Sequence, residues 1–448
     1  MNSQEGVYSF LGIFDALAIL AWFFILLSLI NSNYSKNADK KHYRYYKNGF
    51  YIKFFSAIVF SVVYIILYGG GDSTAYWDAA QKMNNLFWES PVKFFSEFFS
   101  NDPNRDRFVN FNPAITGMPP RWIYREDEAW FASKIYTLLT FITFKSYFAM
   151  TMITSYISFR VSWILYEFVL KYNLFSVRTA AIGVLFIPST CFWCTGITKD
   201  MLIYISVIYL LIQLFTFLKP EVFNEFRNLR WGIISVIIIL YVRDFMIITA
   251  FGPFFMALGA RWSQAQTSSF SKGLINLSFV VFVLYAMTSF LGSEKGQEFT
   301  QEAQVIQKDL NTNATYGSNR YDLGITDFST GGMLRSMPIS IYTAFYRPYL
   351  WEGDSFFVRI SALESFIFIM LTFRFIFKGS FFDKFNLIRN NEFLMAALIF
   401  SLVLGFFAGF TSGLFGVLVR FKAPLLPFLF LVLMYKKEEE IPNLETKS

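Results

Sequence analysis

Residues 52–80 read IKFFSAIVFSVVYIILYGGGDSTAYWDAA. The run from Ile52 to Gly70 is nineteen residues long and almost all apolar, the length a helix needs to cross hydrocarbon. Three glycines, two aspartates and a tryptophan then stand where such a helix would return the chain to water. Similar runs recur along the chain, so this stretch sets the class. The 448 residues are 55% hydrophobic, 21% aromatic and only 16% charged, where a soluble chain carries about 25% charged residues. The runs are continuous and not alternating, which argues against a membrane barrel. The expectation is an all-α, polytopic transmembrane helical bundle. The 58 phenylalanines fit an AT-rich coding sequence and carry no functional reading.

The inventory excludes several chemistries. His42 is the single histidine, so a histidine-based metal site or a Ser-His-Asp triad is nearly excluded. Cys191 and Cys194 form a CFWC pair inside an apolar stretch with no second pair nearby. The N-terminus MNSQEGVYSF lacks the basic region of a cleaved signal, so the first helix is expected to stay.

Membrane segments are expected near 10–31, 51–69, 147–170, 179–196, 199–218, 273–292, 359–377, 392–411 and 414–434. Residues 133–146 and 232–259 are ambiguous, which gives about 9–11 segments in one transmembrane domain over 1–435. Basic residues tend to stay cytoplasmic. Lys36, Lys40, Lys41, Arg44 and Lys47 mark residues 32–50 as inside; Lys171 with Arg178, and Lys219 with Arg227 and Arg230, mark two further turns. Lys378, Lys384 and Arg389, then Lys436 and Lys437 in a short cytoplasmic tail over 436–448, complete the set. All can be inside only if 232–259 returns to its starting side as a hairpin around Arg243 and Asp244. Two extended loops, 70–132 and 293–358, then face outward. The first carries short amphipathic helices. Tyr76, Ala79, Ala80, Met83 and Phe87 keep helical spacing, and in ESPVKFFSEFF Ser90 is a good N-cap with Pro91 in the first turn. Both helices are expected along the outer membrane surface.

Asp72 and Asp78 open the first outer loop. Capping by Asp72 or Ser73, with Asp78 paired to Lys82 at i,i+4, explains them structurally. A carboxylate at a helix exit, held by glycines, also suits a base or a metal ligand in an outward cavity. Lys199 and Asp200 start the next long helix, where a lysine has the wrong sign for the helix dipole and asks for an anion. Arg243 interrupts 232–259. Arg160 and Glu167 share a face and read as a structural pair. Arg347, Trp351 and Glu352 precede a helix that contains Glu364, and Arg420 and Lys422 sit beside Pro424 and Pro427. Lys199, Arg243, Arg347, Arg420 and Lys422 suit a phosphate or pyrophosphate, and Asp200, Trp77, Trp351 and Glu352 suit contacts to the rest of a substrate. Acid and cations together fit glycosyl transfer from a lipid-linked phosphate.

GGGDSTAYWDAA, IPSTCFWCTGITKD, YRPYLWEG with ALES, and VRFKAPLLPFLFLVL resemble bacterial polytopic proteins of the GT-C glycosyltransferase superfamily, including polysaccharide polymerases and the dolichyl-phosphate-mannose transferase class. The resemblance covers about residues 50–435. It implies an outer-loop acid as base, which falls on Asp72 or Asp78, and lipid-phosphate contacts from Lys199, Arg347 and Arg420. It departs in the extra helix at 10–31, which precedes the acid. The implied setting is the bacterial inner membrane, with the site facing the periplasm or exterior. The implied partners are the lipid bilayer, a polyprenyl-linked sugar donor and a glycan or lipid acceptor, with no nucleic acid. A divalent cation, Mg or Mn, is the one cofactor left open; no residue is assigned as a metal ligand. A transporter or flippase for a lipid-linked sugar would also need a cationic cavity, together with an internal repeat that is not evident here. A polysaccharide polymerase of non-GT-C type is a further alternative. An accessory membrane protein would not need these cations.

Overall fold

The computed structural model describes residues 12–435, apart from 101–107, 295, 299, 302, 306–318, 326 and 354; the 436–448 tail, with Lys436 and Lys437, lies outside the described residues. Among the described residues the chain is helical, and its one β-type pairing is an isolated bridge between Arg320 and Leu414.

Among the described residues seven helices are long and apolar enough to cross a membrane: Ile13–Lys36, Lys41–Leu67, Tyr147–Lys171, Lys199–Leu218, Ser269–Gly292, Phe356–Phe377 and Glu392–Thr411. An eighth crossing arises if Phe415–Lys422 and Leu426–Met434, bent by 66°, act as one. Each of the seven overlaps an expected segment. The expected segment at 179–196 is no single helix. Val177–Leu185 stops, and Pro188–Trp193 restarts at the proline, which has no N–H to continue a ladder and disfavours helix at the residue before it. The second crossing begins at Lys41, about a turn and a half after Lys36, so much of the expected basic loop is helix; Tyr43 and Tyr46 pull it in by packing edge-on against Trp163. Residues 243–245 leave the helical path between Leu229–Val242 and Met246–Gln264, at the Arg243–Asp244 interruption.

The chain divides into two compact units. The first comprises Met1–Trp163, Cys191–Ser206 and Ile234–Asp244; the second comprises Ile164–Thr190, Val207–Ile233 and Phe245–Ser448.

In the first unit the 70–132 segment folds into helices Asp72–Glu89, Pro91–Phe99 and Arg121–Arg125, followed by Asp127–Thr143. The Tyr76, Ala79, Ala80 and Met83 face of Asp72–Glu89 has the expected helical spacing, but it is buried against protein, including Trp130, Ala132 and Tyr136 of the Asp127–Thr143 helix, and does not lie on a membrane surface as expected. Ser90 caps the next helix by accepting from the Lys93 amide at 3.4 Å, with Pro91 in its first turn. Phe95 and Phe99 stack at 6.2 Å on its exposed side, where they suit an interfacial position.

In the second unit Glu392–Thr411 is the central helix. It is 83% buried over its apolar window and packs on Met246–Gln264, Thr330–Tyr346 and Leu426–Met434. A Cβ on Gly409 would collide with the Ser340 carbonyl, so this glycine sets how closely two helix backbones approach. By contrast Ile13–Lys36, in the first unit, and Ser269–Gly292, in the second, are each only 17% buried over that window, and their apolar sides need another apolar medium.

Candidate functional site

Six of the residues singled out in the sequence, Asp72, Trp77, Asp78, Lys199, Asp200 and Arg243, belong to the first unit. The other five, Arg347, Trp351, Glu352, Arg420 and Lys422, belong to the second.

In the first unit, the helix Lys41–Leu67 ends in a widened turn over Val63–Leu67, and the chain reverses through Gly69, Gly70 and Gly71 at φ 63°, 116° and 152°. These are values at which a side chain is strained. Gly71, not Asp72 or Ser73, is the cap. Its amide donates to Thr74 Oγ1 at 2.9 Å, and Thr74 Oγ1 donates back to the Gly71 carbonyl at 2.9 Å. Asp72 is the first helical residue and half-buried, where its charge suits the helix N-terminus. Ser73 is buried and hydrogen-bonds the Tyr147 hydroxyl at 2.8 Å. Asp78 pairs with Lys82 at 3.3 Å, as its spacing implies. Trp77 donates from Nε1 to the Lys145 carbonyl at 2.7 Å and packs edge-on against Tyr147, so its indole holds the turn after Thr143. Lys145 itself donates to Asn85 Oδ1 at 2.6 Å. Burial, and then the nearby Lys82 ammonium, push its pKa below the ordinary lysine value.

Lys199 receives the anion that its position calls for. It pairs with Glu126, at the N-cap of the Asp127–Thr143 helix, and, at 3.2 Å, with Glu128 in that helix's first turn. Asp200, one residue on and buried, accepts from Arg243 Nη1 at 2.7 Å. Tyr136 braces the start of the same helix: its hydroxyl donates to the Thr198 carbonyl at 2.7 Å and accepts from the Thr198 amide at 3.0 Å. Burial raises the Tyr136 phenol above its ordinary range, which keeps the proton on this donor.

In the second unit, Arg347 is held by Glu352, with Nε at 2.9 and 3.1 Å from the two carboxylate oxygens and Nη2 on Oε1 as well. Glu352 Oε2 also accepts from the Tyr349 amide at 2.9 Å. The Arg347 guanidinium lies over the Tyr321 ring at 4.6 Å and near Phe415 at 5.6 Å. Lys422 is buried, and its Nζ donates to the Arg347 carbonyl at 2.7 Å and to Ser365 Oγ at 2.9 Å. Arg420 is half-buried in the short helix Phe415–Lys422, and Trp351 is 80% exposed and stacks on Tyr349 at 5.0 Å.

Three quoted motifs therefore meet inside this unit. Ser189 of IPST donates to Glu364 of ALES, from its amide at 3.0 Å and its hydroxyl at 2.5 Å. Thr190 donates to the Ala423 carbonyl of the FKAP stretch at 2.7 Å.

Sequence reasoning missed three residues and the partners of a fourth. Glu126 and Glu128 lie more than seventy residues from the lysine they pair with. Glu364 was noticed, but not its bonds from Ser189, nor the buried Oε1 that lacks a partner among the described residues. Lys53 sits fully buried inside the apolar run; its Nζ donates to Ser158 Oγ at 2.9 Å and lies 4.8 Å from the Tyr204 ring centroid. A lysine inside a membrane-length run was the available signal. Among the described residues no group of three or more His, Cys, Asp or Glu side chains is arranged to hold a metal.

Comparison with protein-family models, with curated proteins and with solved structures gives no match.

Proposed function

We propose that this chain is a membrane glycosyltransferase of GT-C type. It would move a sugar from a polyprenyl-phosphate or -pyrophosphate donor to a glycan or lipid acceptor, on the periplasmic or outer face of a bacterial inner membrane, in cell-surface glycan assembly. The observation that carries the reading is the placement of Asp72. It opens a helix directly after a membrane-length helix, on a turn of three glycines at positive φ. A fixed carboxylate at that boundary is where a sugar borne on a lipid phosphate meets an acceptor from water.

On this reading Asp72 takes the proton of the acceptor hydroxyl as that oxygen bonds the anomeric carbon. The bond from the anomeric carbon to the phosphate oxygen breaks, and the phosphate leaves with its electron pair. Lys199 is the cation best suited to the leaving phosphate, because its partners Glu126 and Glu128 have side chains 45% exposed and open to competition. Arg243, Arg347 and Lys422 are engaged by buried or half-buried partners and act as positioning residues on this reading. Purified protein incubated with a radiolabelled polyprenyl-phosphate sugar and acceptor extract should move label off the lipid.

Two features favour a second reading, a transporter or flippase of a lipid-linked sugar. The 66° bend between Phe415–Lys422 and Leu426–Met434, and the break at 243–245, are the kind of discontinuous helices that line transport paths. In liposomes that reading requires labelled lipid to change leaflet with its sugar still attached.

A further inference from the structure

The helix Phe356–Phe377 is long enough to cross a membrane, and its last turn carries Arg374. The chain turns through Lys378 and Gly379 into the short helix Phe381–Arg389. A cavity of about 160 Å³ lies at this turn, lined by Arg374, Lys378, Asp383 and Lys384 together with Leu433 and Met434. Three cations face one carboxylate. Arg374 is exposed and donates to the Met434 sulfur at 3.6 Å, a weak acceptor. Among the described residues no carboxylate pairs with Arg374 or Lys378. Lys384 donates to the carbonyls of Phe375 and Lys378, so it closes the end of the long helix and holds the turn.

Beside these cations the same turn exposes large apolar side chains: Phe377 is 76% and Phe382 77% exposed, and Phe373, Phe381 and Phe385 are at least 42% exposed. A cationic hollow flanked by exposed aromatics at the end of a membrane-length helix has two needs, an anion and an apolar cover. An anionic phospholipid meets both; a soluble phosphate meets only the first. We propose that this turn is a binding site for an anionic phospholipid, with the headgroup phosphate among Arg374, Lys378 and Lys384 and the acyl chains against Phe377, Phe381 and Phe382. The site lies in the second unit and is independent of the glycosyl-transfer reading.

The test uses the full chain in a neutral detergent, titrated with phosphatidylglycerol or phosphatidylcholine of the same acyl chains and read by native mass spectrometry. Phosphatidylglycerol should bind tighter by roughly thirtyfold, the scale of two interfacial cations. R374Q/K378Q should abolish that preference, while R374K/K378R keeps it; Lys384 is left in place because it holds the turn. Equal binding of the two lipids by the wild-type chain overturns the proposal, and that measurement decides even where a variant fails to fold. A preference that survives R374Q/K378Q, or is lost in R374K/K378R, also overturns it. Displacement of phosphatidylglycerol by millimolar inorganic phosphate would make a soluble anion the occupant and sink the lipid assignment.

Discussion

Gly71 shows how much one residue carries. At φ 152° a side chain is strained, and a Cβ there would lie 3.2 Å from the Tyr64 ring. Gly71→Ala should cost about 1–3 kcal/mol, read as a lower unfolding temperature in detergent; an unchanged transition would mean the turn is free to relax. Asp78 is different. Its pair with Lys82 is part-exposed, so Asp78→Asn should change stability by less than about 1 kcal/mol and should lower transfer less than Asp72→Asn does. Asp327 gives a pH signal. Its carboxylate accepts from the Ser329 hydroxyl and from the Ser329 amide at 2.9 Å, and those bonds hold it below the usual carboxylate range. A depressed carboxylate stabilises the fold fully above its unfolded value, about 3.9, and that contribution is lost as pH falls through the lower folded value. The Ser329 amide resonance should therefore shift with a midpoint below the ordinary carboxylate value. A shift centred above pH 4 would remove the assigned bonds. At this scale, what the sequence revealed was local: the Asp78–Lys82 spacing and the Ser90 cap are visible because both partners lie within four residues.

At the scale of elements, the start of Lys199–Leu218 is fixed by four partners: the two glutamates, Tyr136 and Arg243. The Asp200–Arg243 pair is buried on both sides, so removing either charge takes a buried ionic partner from the other. Asp200→Asn or Arg243→Gln alone should destabilise by about 3–5 kcal/mol, and the double variant by less than the sum. Additive losses in a double-mutant cycle would show that the two do not depend on each other. That a lysine at a helix start asked for an anion was legible from the dipole. Which anion was not, since Glu126 lies 73 residues away and only tertiary packing brings it near. The same limit explains residues 179–196. Hydropathy reads straight through Phe186 to Pro188, while the backbone breaks there and uses the buried Ser189 amide and hydroxyl to bind Glu364. Hydropathy also hid Lys53, whose charge is diluted among eighteen neighbours.

For the whole molecule, the seven membrane-length helices among the described residues were legible because each carries a largely apolar stretch of about twenty residues. The grouping of the chain into two units was not, because it depends on contacts far apart in sequence. The sidedness proposed from the basic loops has a direct check. Cys191 and Cys194 are buried, so single cysteines introduced at exposed positions report cleanly. An impermeant maleimide added to intact cells should label Ala114→Cys and Asp322→Cys and spare Ala38→Cys, all exposed sites. The reverse pattern would put Asp72 on the cytoplasmic side and end the periplasmic reading. The most direct measurement of the central claim is transfer of label from a polyprenyl-phosphate sugar by the wild-type chain and by Asp72→Asn, side by side at equal folded protein. The account expects the wild type to release label from the lipid and Asp72→Asn to do so at a rate lower by about 10²- to 10⁴-fold. Transfer by Asp72→Asn near the wild-type rate, or no transfer by the wild type while labelled lipid crosses a bilayer intact, would contradict it.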